Sequence, residues 1–311
     1  MPWPFSRRPT LDADHPDALA EAHNHAVELG ARGQHQQARE LDEDTLDRRR
    51  RVLGPDHPHT LATANNLAAD LRELGELGQA RELDEDTLDR RRRVLGDDHL
   101  GTLANASTLA GDYRALGDFR KARELDELAF LGRLRVLGGD DIQTLESAHF
   151  LGTDLRALGE FQRARELDED SLARRRRILG DDHPDTLANA HNLAIDLREL
   201  GEHQRARELD EDTLARRRRI LGDDHPKTLN SANNLAADLH ALGDHQRARD
   251  IDRDTLDRRR RVLGDQHPGT LANARALAEH LRALGDPQAA AAVLATFGLA
   301  PEATGPSPNG G

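Results

Sequence analysis

Cysteine is absent from the 311 residues, which excludes a disulfide framework, a thiolate metal site and a cysteine nucleophile. Lysine is nearly absent too: Lys121 and Lys227 are the only two, so arginine carries almost all the positive charge. Aromatic residues make up 3% of the chain and apolar residues 36%, with a mean hydropathy of −0.77. A compact globule of this length would bury more. The alternatives are disorder, which lacks apolar periodicity, and an elongated fold whose layers cover only their neighbours. No apolar run is long enough to cross a bilayer, and MPWPFSRRPTLDADHP lacks the apolar core of a secretory signal. A soluble cytoplasmic protein with no membrane contact is expected. Acids outnumber bases 57 to 44, for a net charge of −13, the wrong sign for a general polyanion binder.

What the chain does contain is a repeat. Leu19, Leu61, Leu103, Leu145, Leu187, Leu229 and Leu271 follow one another at intervals of 42 without insertion or deletion. Ala22, Ala64 and Ala106 begin a second unbroken column, and Gly33, Gly75 and Gly117 a third. A period of this size means stacked supersecondary units. Within the second unit Leu61, Ala64, Leu67, Ala68, Leu71 and Leu74 have helical spacing and define a helix A ended by Gly75. Helix B follows with Ala80, Leu83, Leu88, Val94 and Leu95, and Gly96 ends it. Small residues at Ala68 and Ala80, recurring in each unit (Gly152 in the fourth), let the two helices approach closely. The expected fold is therefore all-α, a right-handed α-solenoid of about seven helix-turn-helix units. They fall near 18–59, 60–101, 102–143, 144–185, 186–227, 228–269 and, partially, 270–297. Residues 1–14 are expected to be irregular, with Trp3 and Phe5 packing over the first helix, and 298–311 to be a disordered tail.

Runs of four arginines at 48–51, 90–93, 174–177, 216–219 and 258–261 raise the question of phosphate binding. Four successive helical residues point about 100° apart, so no single stripe carries all four. Each run lies in the last turns of helix B, where cations suit the macrodipole, and an acid precedes its first arginine by four, as in Asp86 and Arg90. These features favour a structural role, with polyanion binding through convex-face arginines as the rival and nucleic acid not the expected partner. The DDH triplets, such as Asp97-Asp98-His99, offer one set per unit and read as helix starts, with Asp as cap and His-Pro opening the helix, not as metal ligands. The sixteen histidines mostly recur with the repeat, whereas a catalytic site is a single asymmetric constellation. No G-x-S-x-G, HExxH or Walker-type phosphate loop is present. No catalytic residue, cofactor or metal is expected.

The pattern HPxTLxxxNNLAxxLRxLGxxxxARxLxExxLxRRxRxLGxDHP resembles the 42-residue tetratricopeptide repeat of kinesin light chain and nephrocystin type. The likeness covers about nine-tenths of the chain, although that family usually has an aromatic where Leu71 stands. The ARELDEDTLARRRRILG variant is similar to repeats of an actinobacterial peptide-maturation system with FxSxx carboxyl termini, often fused to ATPase domains. The resemblance implies a non-enzymatic scaffold holding a protein or peptide in a concave groove lined by helix A. The alternative it implies is the sensor or scaffold half of an ATPase-linked signalling or maturation system.

Opposite the apolar side of helix A lie positions 62, 66, 69 and 73, holding Ala62, Asn66, Ala69 and Glu73. This face carries small residues plus Asn24, Asn66, Asn192 and Asn234, with Asn65 and Asn233 beside them. Asparagine can hydrogen-bond both N–H and C=O of an extended peptide, the use to which the family puts such a pair. Units three and four hold most of the aromatics, and Phe150 occupies the groove column. Helix B of unit three reads ELDELAFLGRLRVLG, apolar on nearly all sides, so Leu128, Leu131 and Leu134 are expected to form a patch for a partner or for self-association.

Overall fold

The computed structural model describes residues 14–300, so Trp3, Phe5 and 301–311 lie outside it. Among the described residues there are helices and turns but no strand. They form two compact units, the first ending at Gly159 and the second starting at Glu160. The first contains α1 (Pro16–Ala31), α2 (His35–Val52), α3 (Pro58–Glu73), α4 (Leu77–Leu95), α5 (Leu100–Ala115), α6 (Phe119–Leu137) and α7 (Ile142–Ala157). The second contains α8 (Phe161–Leu179), α9 (Pro184–Glu199), α10 (His203–Leu221), α11 (Pro226–Ala241), α12 (His245–Leu263), α13 (Pro268–Ala283) and α14 (Pro287–Thr296). Odd-numbered helices are the A helices and even-numbered ones the B helices. Within each unit every helix packs on its neighbours in sequence, the all-α solenoid layout that the period predicts.

Two kinds of glycine turn set this layout. After helix A, Gly75 (φ 79°) lets the Glu76 N–H reach back to the Leu71 carbonyl at 2.8 Å while its own N–H reaches Arg72, which closes the helix end. After helix B, Gly96 (φ 89°, ψ 166°) redirects the chain into an extended turn that an L side chain would strain. The start of the next helix differs from expectation. The cap is the histidine, not the aspartate: His57 Nδ1 accepts from the His59 N–H and His183 Nδ1 from the Asp185 N–H, both at 3.2 Å. The imidazole nitrogen takes the place of the usual side-chain oxygen two residues before the free N–H. Where the fourth repeat lacks histidine, Asp141 caps at 2.8 Å.

The apolar core is divided into small parcels. Leu46 of α2, Ala64, Leu67, Ala68 and Leu71 of α3, and Ala80 of α4 form one cluster. Each such cluster joins the B helix of one repeat to both helices of the next. Ala68 and Ala80 are fully buried, as are Ala110 and Ala122, so facing helices meet through methyl groups. Thin layers of this kind bury little apolar area, which matches the low hydrophobic content. The last helix is short, and Phe297 closes the second unit, buried beneath the Arg260 guanidinium 5.3 Å from its ring.

The arginine runs supply much of what the thin core does not. The first arginine pairs four residues back in all five runs, as expected: Arg48–Asp44, Arg90–Asp86, Arg174–Asp170, Arg216–Asp212 and Arg258–Asp254. It also reaches the turn aspartate before its own repeat, Asp56 for Arg90 at 2.8 Å and Asp182 for Arg216 at 2.9 Å. In the four later runs the third arginine pairs with the aspartate after the helix, as in Arg218–Asp223 at 3.2 Å, whereas Arg50, followed by Pro55, turns to Asp47. The second is different, because it is turned inward. Arg217 is buried and donates to the Lys227 carbonyl (3.2 Å), Ser231 Oγ (2.6 Å) and the Leu187 carbonyl (3.0 Å). It thereby holds α10 to both α9 and α11. Arg49 makes the same bonds to His59, Thr63 and Leu19.

Adjacent arginines of one run should therefore behave oppositely. Arg217→Ala is expected to cost about 2–4 kcal/mol, since it strands buried acceptors. Arg216→Ala should cost less than about 1 kcal/mol, as partly exposed ion pairs do. Urea unfolding of the two variants checks this; equal effects would contradict it.

Candidate peptide-binding face

The face predicted to bind sits on the A helices. In the first unit Asn24 of α1 is exposed, Asn66 of α3 half-buried, and Phe150 of α7 is 42% exposed. Phe150 is held by the Arg114 guanidinium, 5.5 Å from its ring centroid. In the second unit Asn192 of α9 and Asn234 of α11 are half-buried, and Asn234 Nδ2 lies 3.1 Å from His191 Nδ1, linking the two helices. The flanking asparagines sit differently. With its amide oxygen toward α4, Asn65 accepts from Arg91 at 3.0 Å, and the Asn233 oxygen is buried without a partner. Of the predicted patch, Leu131 and Leu134 of α6 are 42% and 38% exposed, whereas Leu128 packs against the cluster containing Leu88 and Tyr113. Gly132 is buried, and a Cβ there would lie 2.4 Å from a Leu103 methyl. That glycine lets α6 lie unusually close to α5.

Beneath this face runs a feature that the sequence reading missed. Arg72 near the end of α3 places Nη1 2.7 Å from Asp84 Oδ2 of α4 and 3.1 Å from Asp112 Oδ1 of α5. Arg114 likewise joins Asp126 (2.5 Å) and Asp154 (2.7 Å), and Arg198 joins Asp210 (2.9 Å) and Asp238 (2.6 Å). All six carboxylates are buried. Each triad thus has two acids around one guanidinium. Burial, with the second carboxylate adding to it and the arginine opposing, pushes Asp84 up to about 6 and Asp126 and Asp210 up to about 8. Burial also raises Asp112. The signal was in the sequence: Asp42, Asp84, Asp126, Asp168, Asp210 and Asp252 form an unbroken column.

The sixth repeat substitutes imidazoles. His240 stands in the arginine column and His280 in that of the second carboxylate, with His280 Nε2 2.9 Å from Asp252 Oδ2. His240 Nδ1 lies 2.9 Å from His280 Nδ1 and 3.0 Å from His245 Nδ1. Burial, reinforced by the two neighbouring imidazoles, holds His240 below the usual histidine range. Among the described residues no group of His, Cys, Asp and Glu has the geometry to hold a metal ion. Nor, among the described residues, is any helix long and apolar enough to cross a membrane.

A family model of the tetratricopeptide repeat matches residues 18–93, 60–130, 104–176, 143–219, 187–260 and 233–296. No curated protein matches the chain by sequence. Among solved structures, a Podosopora anserina kinesin light chain with nearly identical TPR-like repeats is 31% identical, covering 67% of this chain and 98% of that one at a TM-score of 0.61. BtubC (BKLC) from P. vanneervenii is 20% identical over 71% of this chain and 89% of that one, with a TM-score of 0.60. A signal transduction ATPase with a tetratricopeptide repeat sensor from Pyrococcus horikoshii is 13% identical over 91% of this chain and 42% of its own, with a TM-score of 0.69. The last two show a shared fold.

The triads set a pH dependence. A carboxyl whose folded pKa is raised stabilises the fold fully below its unfolded pKa, and that stability is lost as pH rises through the folded value. For Asp210 the loss runs upward from the ordinary carboxylate range to about 8. Asp210→Asn removes the titration, so its stability relative to the wild type should improve by the order of a few kcal/mol between pH ~5 and pH ~8.5. Urea unfolding across that range provides the check, and a pH-independent difference would refute the raised Asp210 titration.

Proposed function

The chain belongs to the tetratricopeptide repeat family, in its 42-residue kinesin-light-chain-like form, and on that premise we propose that it is a non-enzymatic scaffold that binds a protein or peptide segment on its helix-A face. The observation that carries this reading is a contrast between the two helix types. Arginines on the B helices are spent on carboxylates and carbonyls of the same chain, as Arg216, Arg217 and Arg218 illustrate. That leaves little free cationic surface for a polyanion. The A-helix face instead presents Asn24 and Asn66 in the first unit, and Asn192 and Asn234 in the second, beside small residues such as Ala69. An exposed helix face normally carries long charged side chains. Amides that can donate and accept, above a backbone held rigid by buried arginines, suit an extended peptide whose main chain needs both. Phe150, fixed by Arg114, would add an apolar contact on the same face of the first unit.

Selection from a displayed random-peptide library tests this directly. Peptides enriched on the wild type should lose at least about tenfold in affinity on the Asn66→Ala, Asn192→Ala, Asn234→Ala triple variant, on the order of 1.4 kcal/mol. Undiminished binding would sink the asparagine face as the site.

A specific observation also supports self-association. Other B helices expose the aliphatic residue before their final Leu-Gly, as Val94 and Ile220 do, but α6 adds exposed Leu131 and Leu134 beside the half-buried Leu128. We propose that these three residues form a self-association patch. Light scattering should show a dimer that Leu131→Arg converts to a monomer; a monomeric wild type would contradict this.

A further inference from the structure

The Arg–Asp–Asp triads centred on Arg72, Arg114 and Arg198 provide a template against which the first repeat stands out. Its two carboxylates are in place, Asp42 on α2 and Asp70 on α3, each 42 residues before Asp84 and Asp112. The arginine column, however, holds Gly30. Where Arg72, Arg114 and Arg198 put a guanidinium, the first repeat has an open pocket of about 330 Å³ bordered by Gly30, His35, Asp42, Asn66, Asp70 and Glu73.

Asp42 is 0% exposed, and neither of its side-chain oxygens accepts a hydrogen bond. The nearest cationic candidate, His23 Nδ1, is 3.8 Å from Oδ1, beyond hydrogen-bond reach. Asp70 has His35 Nδ1 at 2.9 Å from Oδ1. Arg72 borders the pocket but is committed to Asp84 and Asp112. Burial pushes the Asp42 carboxyl above its ordinary range, with His23 opposing and Asp70 adding to the rise. A buried carboxylate that makes no hydrogen bond is costly, and a bound donor recovers that cost.

We propose that this pocket is a guanidinium-binding site, in which an arginine side chain of a ligand takes the position that Arg72, Arg114 and Arg198 occupy in their own repeats. The planar fork can serve two carboxylates at once, which an ammonium group cannot do in the same geometry. In the filled triads the guanidinium lies 2.5–3.1 Å from both acids, and the bound side chain would span Asp42 and Asp70 in the same way. The rim includes Asn66 and Ala69 of the helix-A face. The proposal rests on the peptide-binding reading only for the course of the rest of the ligand, and it specifies one side chain that such a ligand carries.

The probe is Nα-acetyl-L-arginine methylamide, titrated into the full chain by calorimetry and by amide NMR. Saturable binding of one molecule per chain is expected, with the citrulline analogue, a neutral isostere, at least about tenfold weaker. Gly30→Arg restores the residue used by the other repeats. It should abolish binding and raise the thermal midpoint, which shows that the variant is folded. Only the Asp70 carboxylate must yield to its Cβ, which would lie 3.1 Å from Oδ1. Asp42→Asn should weaken binding by about tenfold or more. Equal affinity for arginine and citrulline, or unchanged binding to Gly30→Arg, overturns the proposal. So does binding that emerges only when Arg7 and Arg8 are both changed to alanine, because the occupant would then be the chain's own. The Asn192→Ala, Asn234→Ala double variant, which leaves every residue bordering the pocket intact, should still bind the capped arginine, so failure of the peptide face and failure of this pocket are separable.

Discussion

A guanidinium enclosed between helices is the interaction on which this structure depends. Helix pairs that meet through alanine methyl groups bury too little apolar surface to be held by it alone. The inward arginine of a run, as Arg49 and Arg217 show, ties one B helix to the A helices on either side through carbonyls and a hydroxyl. The arginine near the end of helix A, typified by Arg198, does the same through carboxylates. Both tasks need several directed N–H groups from one planar head, and both require the charge to persist when buried. Arginine meets these conditions and lysine does not, which accounts for a chain with 44 basic residues of which only Lys121 and Lys227 are lysine.

The same interaction explains the acidic balance. Buried and turn aspartates are the counterpart of the arginine runs, and two carboxylates converge on one guanidinium in each triad. The excess of acid over base is in part a structural requirement of the stack. It also leaves the interior electrostatically poised, because protons and guanidinium groups compete for the same buried oxygens.

Much of the fold was legible in the sequence. The 42-residue period, the leucine and alanine columns and the two glycines per repeat gave helix A, helix B and their turns, and the i,i+4 acid–arginine pairs stand where the spacing put them. Two matters were not legible. The turn histidine, not the aspartate, caps helix A, because an Nδ1 lone pair can replace a carboxylate oxygen and the aspartates are drawn to arginines 34 residues on. The four arginines of a run look alike in sequence, yet only the second is turned inward (buried in four of the five runs, half-buried as Arg91 in the other), and which one turns depends on the face that meets the neighbouring repeat. The asparagine column could be read as a face; that Asn65 turns to Arg91 while Asn66 stays on the helix-A surface depends on side-chain direction. The Arg–Asp–Asp column was visible in the text but had no meaning until residues 12 and 40 apart were seen to meet.

These fixed spans bear on how such a chain can change over evolutionary time. Arg90 reaches back 34 residues to Asp56, and Arg72 reaches forward 40 to Asp112. Inserting or deleting a single residue in an inter-helix turn rotates or shifts one set of partners against the other and breaks several buried pairs together. Removing or duplicating a whole 42-residue unit instead delivers each arginine to an equivalent carboxylate. The ion-pair lattice therefore acts as a reading frame, in which length can vary only by complete repeats and point substitution is left to give individual repeats their character.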